Sequence, residues 1–313
     1  MPSRLRSMVG VGLAVCGAIA SVFWISHGQG RESSGRLEAV WGEKGFSDGR
    51  LIKPRGAAID AQDRLYIVDF TGRIQLFDAE GHYLFGWRTP VWEKGKPTGI
   101  TISRDGRVLV PDTHYHRVLI YSAKGDLLAT IGGTLGHEPG QFGYVTDVAE
   151  DDDGYLYVSE YGDHDRIQKF TPEGRFVLQW GSHGTEPGQF MRPQSMEFDR
   201  QGRLFVTDAC NHRIQVFDSE GKRLDMWGEH GSEPGQLNYP YGLAFGRDGA
   251  LYVCEYGNSR VQKFTPEGRP LGTWGTPGRR AGELWNPWAV VVDSRGRVYT
   301  IDSTNHRVQR ITL

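Results

Sequence analysis

One segment of this chain recurs six times, and that recurrence leaves few folds open. It reads Pro193-Gln-Ser-Met-Glu-Phe-Asp-Arg-Gln-Gly-Arg-Leu-Phe-Val-Thr-Asp208, then Ala-Cys-Asn211-His-Arg213-Ile-Gln-Val-Phe-Asp-Ser-Glu-Gly221, and closes near Trp227-Gly228. The frame restarts at Pro54, Pro97, Val145, Pro240 and Pro287. Its most constant point is an arginine: Arg73, Arg117, Arg166, Arg213, Arg260 and Arg307, spaced 44, 49, 47, 47 and 47 residues apart. In the fourth unit, runs rich in Val, Ile, Leu, Tyr and Phe predict strands over about 194–199, 203–207, 213–217 and 223–227. Asp-Arg-Gln-Gly and Asp-Ser-Glu-Gly supply the turns between them, with Gly where φ must be positive. Inside and outside do not alternate cleanly along these strands, as expected for a sheet covered on both faces.

Four strands in about 47 residues make one propeller blade. The last unit, from Pro287 to Leu313, has room for only three. The missing outer strand stands at the other end of the repeats, where Leu37-Glu-Ala-Val-Trp41-Gly42 matches Leu224-Asp-Met-Trp227-Gly228. An N-terminal strand completing the last blade joins the ends of a ring, whereas a linear array needs capping units and has no use for a split one. The expected fold is therefore all-β: a six-bladed β-propeller with four-stranded blades over 37–313.

Asn-His-Arg-Ile-Gln at Asn211, Asn-His-Arg-Val-Gln at Asn305 and Asn-Ser-Arg-Val-Gln at Asn258 resemble the signature of the NHL-repeat family. Pro-x-Gly opening several units and Asp-Gly-x-Leu-Tyr-Val within them are similar to that family too. The resemblance covers nearly all of 37–313 and implies the propeller. It says little of function, because one fold carries many activities.

Ahead of the repeats, Arg4 and Arg6 precede an uncharged run from Met8 to Ile25. As a helix that run spans about 27 Å, near the thickness of a bilayer core. Residues 1–30 are expected to be a membrane anchor or signal segment and 31–36 a linker, with the arginines cytoplasmic and the propeller periplasmic or extracellular. Two other routes stay open. Ala18-Ile19-Ala20 offers a signal-cleavage site that would release a secreted form, and Leu13-Ala14-Val15-Cys16 resembles a lipobox. The remainder, 36–313, holds 33 basic and 37 acidic side chains, so no positive excess is present to neutralise a nucleic-acid backbone.

Most polar residues of the repeat are read as structure. Asp69, Asp112, Glu160, Asp208, Glu255 and Asp302 end the second strands just before the repeated arginine and are expected to pair with it. Trp41, Trp87, Trp180, Trp227 and Trp274, with Ile131 in the second unit, close the outer strands as packing residues. Eight of the nine histidines beyond Arg36 fall in the connections of one face of the disc. His137, His183 and His230 lie in the loops between blades and His164 in the acidic loop Glu160–Asp165, making these four secondary binding candidates. That acidic loop is a solvated turn or a cation site. Cys210 and Cys254 sit in neighbouring units and are within reach of pairing only if geometry allows. There is no C-x-x-C, Gly-x-Ser-x-Gly, P-loop or H-E-x-x-H pattern.

The resemblance supplies a test of chemistry. NHL-type lyases that cleave hydroxyglycine peptides hold zinc through histidines at the residue after the opening proline. Here those positions are Arg55, Thr98, Thr146, Gln194, Tyr241 and Trp288, and none is histidine. The zinc-lyase set is thus not expected, and no cofactor is assigned. Arg55, Gln194, Tyr241 and Trp288 instead form a channel mouth, with aromatic rings facing water, suited to a protein, peptide or small polar ligand. The expected function is an extracytoplasmic binding scaffold. The alternative is a metal-dependent lyase or hydrolase on the histidine-rich face.

Overall fold

The computed structural model describes residues 35–313 of the chain. The segment from Met8 to Ile25, with Cys16, lies outside the described residues. Among the described residues, no helix is long and apolar enough to cross a membrane.

Six four-stranded antiparallel sheets account for nearly all regular structure. Their innermost strands are Pro54–Ile59, Thr101–Ile102, Tyr144–Glu150, Pro193–Phe198, Pro240–Phe245 and Ala289–Val292. Each contacts the next, and the sixth contacts the first, so the blades ring a central axis. All six repeated arginines open a third strand, as their period predicts. In the sixth sheet the outermost strand is Arg36–Trp41, which pairs antiparallel with Arg307–Thr312.

There is no single core. Six apolar wedges fill the spaces between adjacent blades, the first formed by Tyr66, Ile74 and Leu76 against Val108, Val110 and Leu119. The wedge between the last and first units sets Tyr299, Ile301 and Val308 against Leu65 and Ile67. Second strands such as Leu65–Asp69 and Leu204–Asp208 are consequently buried on both faces, while the outer strand Phe176–Trp180 alternates. The outer tryptophans lock each blade to the next. Trp41, Trp87, Trp180 and Trp227 lie against Gly81, Gly125, Gly221 and Gly268, with Ile131 on Gly174. Those glycines have φ of +79 to +91°, and a side chain there would be strained and would also meet the ring.

The acid and arginine of every unit pair at 2.5–2.8 Å. In five units the pair also clamps the loop arriving from the previous blade. Arg260 donates to the carbonyls of Ser232, Glu233 and Gln236, while Glu255 accepts the Asn238 amide. Arg213 with Asp208 and Arg307 with Asp302 do the same. The second unit departs from this pattern, because its loop, 89–97, is shorter: Pro97 comes 10 positions after Trp87, where Pro193 comes 13 after Trp180. There Asp112 Oδ1 and one Arg117 Nη are buried without partners, and burial pushes the Asp112 carboxyl up to about 6.

Candidate functional site

The elements that carry the channel mouth are joints between blades. Lys53, Arg192, Tyr239 and Asn286 each stand directly before the proline that opens a unit, with φ of +44 to +63°. A polar side chain of the previous blade holds the amide of each: His306 Nδ1 for Lys53, Asp165 for Arg192, His212 Nδ1 for Tyr239 and Ser259 for Asn286. The histidine that precedes the repeated arginine is therefore a fastener, which accounts for much of the histidine bias on this face.

Along the axis runs a cavity of about 540 Å³, and Arg55, Gln194, Tyr241 and Trp288 all line it. Their exposure differs from the expectation of rings facing water: Tyr241 is 8% exposed and Gln194 only 2%, with Arg55 and Trp288 half-buried. The cause is crowding by neighbours that the strand pattern did not mark. Tyr241 stacks on Tyr256 at 4.7 Å between centroids and meets Trp288 edge-on at 4.9 Å. The Arg192 guanidinium sits over both Tyr161 and Tyr241, at 4.8 and 5.0 Å, and its Nε donates to Gln194 Oε1 at 2.9 Å. Arg55 lies over Trp288 at 4.8 Å and Phe70 at 4.9 Å, and Lys96 over Phe70 at 4.5 Å. Burial, and then repulsion from Arg192, lowers the pKa of Arg55. Burial, followed by Arg55 and Lys96, holds His114 below the usual histidine range. This end of the channel is cationic and aromatic.

Deeper in, the sign reverses. Asp147 occupies the third position of the repeat, counted from Val145, where Gly56, Gly99 and Gly242 stand in other units. At Gly56 and Gly242 the neighbouring inner strand comes so close that a Cβ would meet its backbone. Asp147 bridges instead, accepting the Met196 amide at 2.8 Å. Glu197 stands where other units have small or apolar residues, and accepts the Phe245 amide at 3.3 Å. Three residues of strand separate Gln194 from Glu197, or roughly 10 Å. Burial pushes Asp147 up to about 7, and burial with the charge of Asp147 pushes Glu197 up to about 8. Strand periodicity alone missed both acids and Arg192. A charged residue at a position otherwise held by Gly, Ala, Ser, Thr or Val was the signal for the acids.

The secondary candidates do not converge. His137 stacks on His164 at 3.8 Å, His183 Nδ1 lies 2.7 Å from Asp165, and His230 packs on His212. Among the described residues, no group of three or more His, Cys, Asp or Glu side chains is placed to hold a metal ion. In the acidic loop, Glu160 is taken up by Arg166 and the Gly143 amide, and Asp165 by His183 and Arg192, so these two carboxylates serve as fasteners while Asp163 is exposed. Cys210 and Cys254 are both free thiols, Cys254 fully buried.

The NHL repeat family matches this chain at residues 190–217, 237–264 and 284–311. Peptidyl-glycine alpha-amidating monooxygenase B of Xenopus laevis is 31% identical over 187 residues, covering 57% of this chain and 20% of that protein. A probable peptidyl-alpha-hydroxyglycine alpha-amidating lyase of Caenorhabditis elegans is 28% identical over 57% of this chain and 49% of its own length. The chain thus spans about a fifth of the length of the monooxygenase relatives. Among solved structures, a streptogramin B lyase superposes with a TM-score of 0.63 at 16% identity, covering 89% of this chain and 98% of that one. A gluconolactonase of Xanthomonas campestris gives 0.64 at 15% identity, covering 85% and 88%. At such identities the likeness is one of fold alone.

Proposed function

We propose that this chain, a six-bladed β-propeller built of NHL repeats, is an extracytoplasmic scaffold that binds a peptide or small polar ligand at the mouth of its central channel. One observation carries the reading: a cavity of about 540 Å³ opens among Tyr241, Trp288, Gln194 and Arg55, which stand at one position of the repeat and differ in kind from unit to unit. Relatives named for work on peptidyl-glycine and peptidyl-hydroxyglycine favour a peptide-like ligand. The N-terminal apolar run favours attachment to a membrane with the propeller outside.

Thermal-shift screening of peptides and small polar compounds against the full chain tests the binding reading. Ligands that stabilise the wild type and not Trp288→Ala support it, provided the unliganded proteins melt alike. Tyr241 is too buried to serve as the probe in an alanine variant. If Trp288→Ala responds to every ligand the wild type does, the mouth is not the site. Protease protection of the full chain in cells stripped of any outer membrane tests placement: digestion from outside supports it, and full protection opposes it.

The similarity to lyases sustains a second reading, metal-assisted lyase or hydrolase chemistry on the histidine-bearing face, where His137 with His164 and His212 with His230 are paired rings. Metal analysis of the purified chain decides between them. Stoichiometric, tightly held zinc or copper favours the enzyme.

A further inference from the structure

We propose that the group recognised at the channel mouth is an oxyanion, carboxylate or phosphate, on an organic ligand, held between the guanidiniums of Arg55 and Arg192. The inference rests on the mouth being the binding site. Buried arginines elsewhere in the ring, such as Arg213 and Arg260, each have a carboxylate partner. Arg55 and Arg192 do not. Among the described residues, their neighbours are the rings of Phe70, Trp288, Tyr161 and Tyr241 and the amide of Gln194. The acid nearest Arg192 in the hydrogen-bond network, Asp165, is already engaged by the Arg192 backbone amide and by His183.

Two cations partly withdrawn from water, repelling each other and lacking a counter-charge, form an arrangement that an anion relieves at both ends. Guanidinium forks suit the paired oxygens of carboxylates and phosphates. The surrounding rings, from Trp288 to Tyr256, provide apolar surface for whatever carries the anion.

The test uses calorimetric titration of the full chain with matched probes: phenylacetate against phenylacetamide, and phenyl phosphate against phenol. In at least one pair the anion is expected to bind about tenfold or more tightly than its neutral counterpart at low salt. That preference should shrink with added salt, disappear in Arg55→Gln and Arg192→Gln, and be partly kept in Arg55→Lys. The pair that discriminates identifies carboxylate or phosphate. If neutral and charged members bind equally well and Trp288→Ala weakens both, the oxyanion inference is overturned while the mouth remains the site. If no probe binds to folded wild-type protein, both fail. Melting curves establish that each variant is folded, and Arg55→Lys keeps the test open should the glutamine variants be unstable.

Discussion

Replacing Glu197 with glutamine should stabilise the protein above neutral pH and do almost nothing at pH 5. Glu197 and Asp147 line the interior of the channel, and among the described residues neither has a cationic partner. Their carboxyls are raised from ordinary values to about 8 and about 7, by burial first. The folded state therefore binds these protons more tightly than the unfolded chain does. The stability they carry is complete below about pH 4 and is lost as pH rises through the folded values. Each pH unit in that window costs about 1.4 kcal/mol per group. For Glu197 alone this reaches roughly 4–5 kcal/mol by pH 8, or on the order of 8 °C in melting temperature for a domain this large. Glutamine stays neutral and keeps an oxygen for the Phe245 amide. Thermal melts from pH 5 to 8.5 should show the wild type falling with pH and Glu197→Gln falling much less. Asp147→Asn should give part of the same gain, and the double variant less than the sum, because removing one charge relieves the other. Parallel wild-type and Glu197→Gln curves would refute the reasoning.

Deleting residues 37–42 strips the strand paired with Arg307–Thr312 and bares a long sheet edge; aggregation or loss of a cooperative melt is expected, and unchanged melting would deny that this strand closes the ring. Arg260→Met leaves Glu255 buried without its counter-charge and should cost about 3–5 kcal/mol in urea denaturation. Arg117→Met should cost clearly less, since Arg117 clamps no loop carbonyl; equal losses would contradict that account. For the same reason, amides of 89–97 should exchange with deuterium faster than those of the clamped loops 182–190 and 229–237, and equal protection would count against it.

Repetition made the fold legible. Six copies of one unit place six arginines at one strand position, and a tryptophan at or next to the end of five outer strands marks one packing position around the ring. The acid–arginine pairs were readable for the same reason: partners a few residues apart at a strand corner meet whatever the rest of the chain does. That Arg55, Gln194, Tyr241 and Trp288 line the channel was likewise readable, since equivalent positions on the inner strands face one axis.

What the sequence by itself determined, then, is whatever is local or periodic: strand order, blade number, and the one inner-strand position whose side chains look toward the channel. Tertiary structure alone decided what those residues meet there. Arg192 reaches the mouth because a left-handed joint, fastened by Asp165 from the preceding blade, turns it inward over Tyr161 and Tyr241. Asp147 meets Met196 and Glu197 only across a blade boundary, where about 50 residues of chain intervene. Those contacts depend on the angle and spacing at which separate blades close on one another. No repeat unit contains that information, because a unit specifies its own sheet, and the channel is made only by the gap that six sheets leave between them.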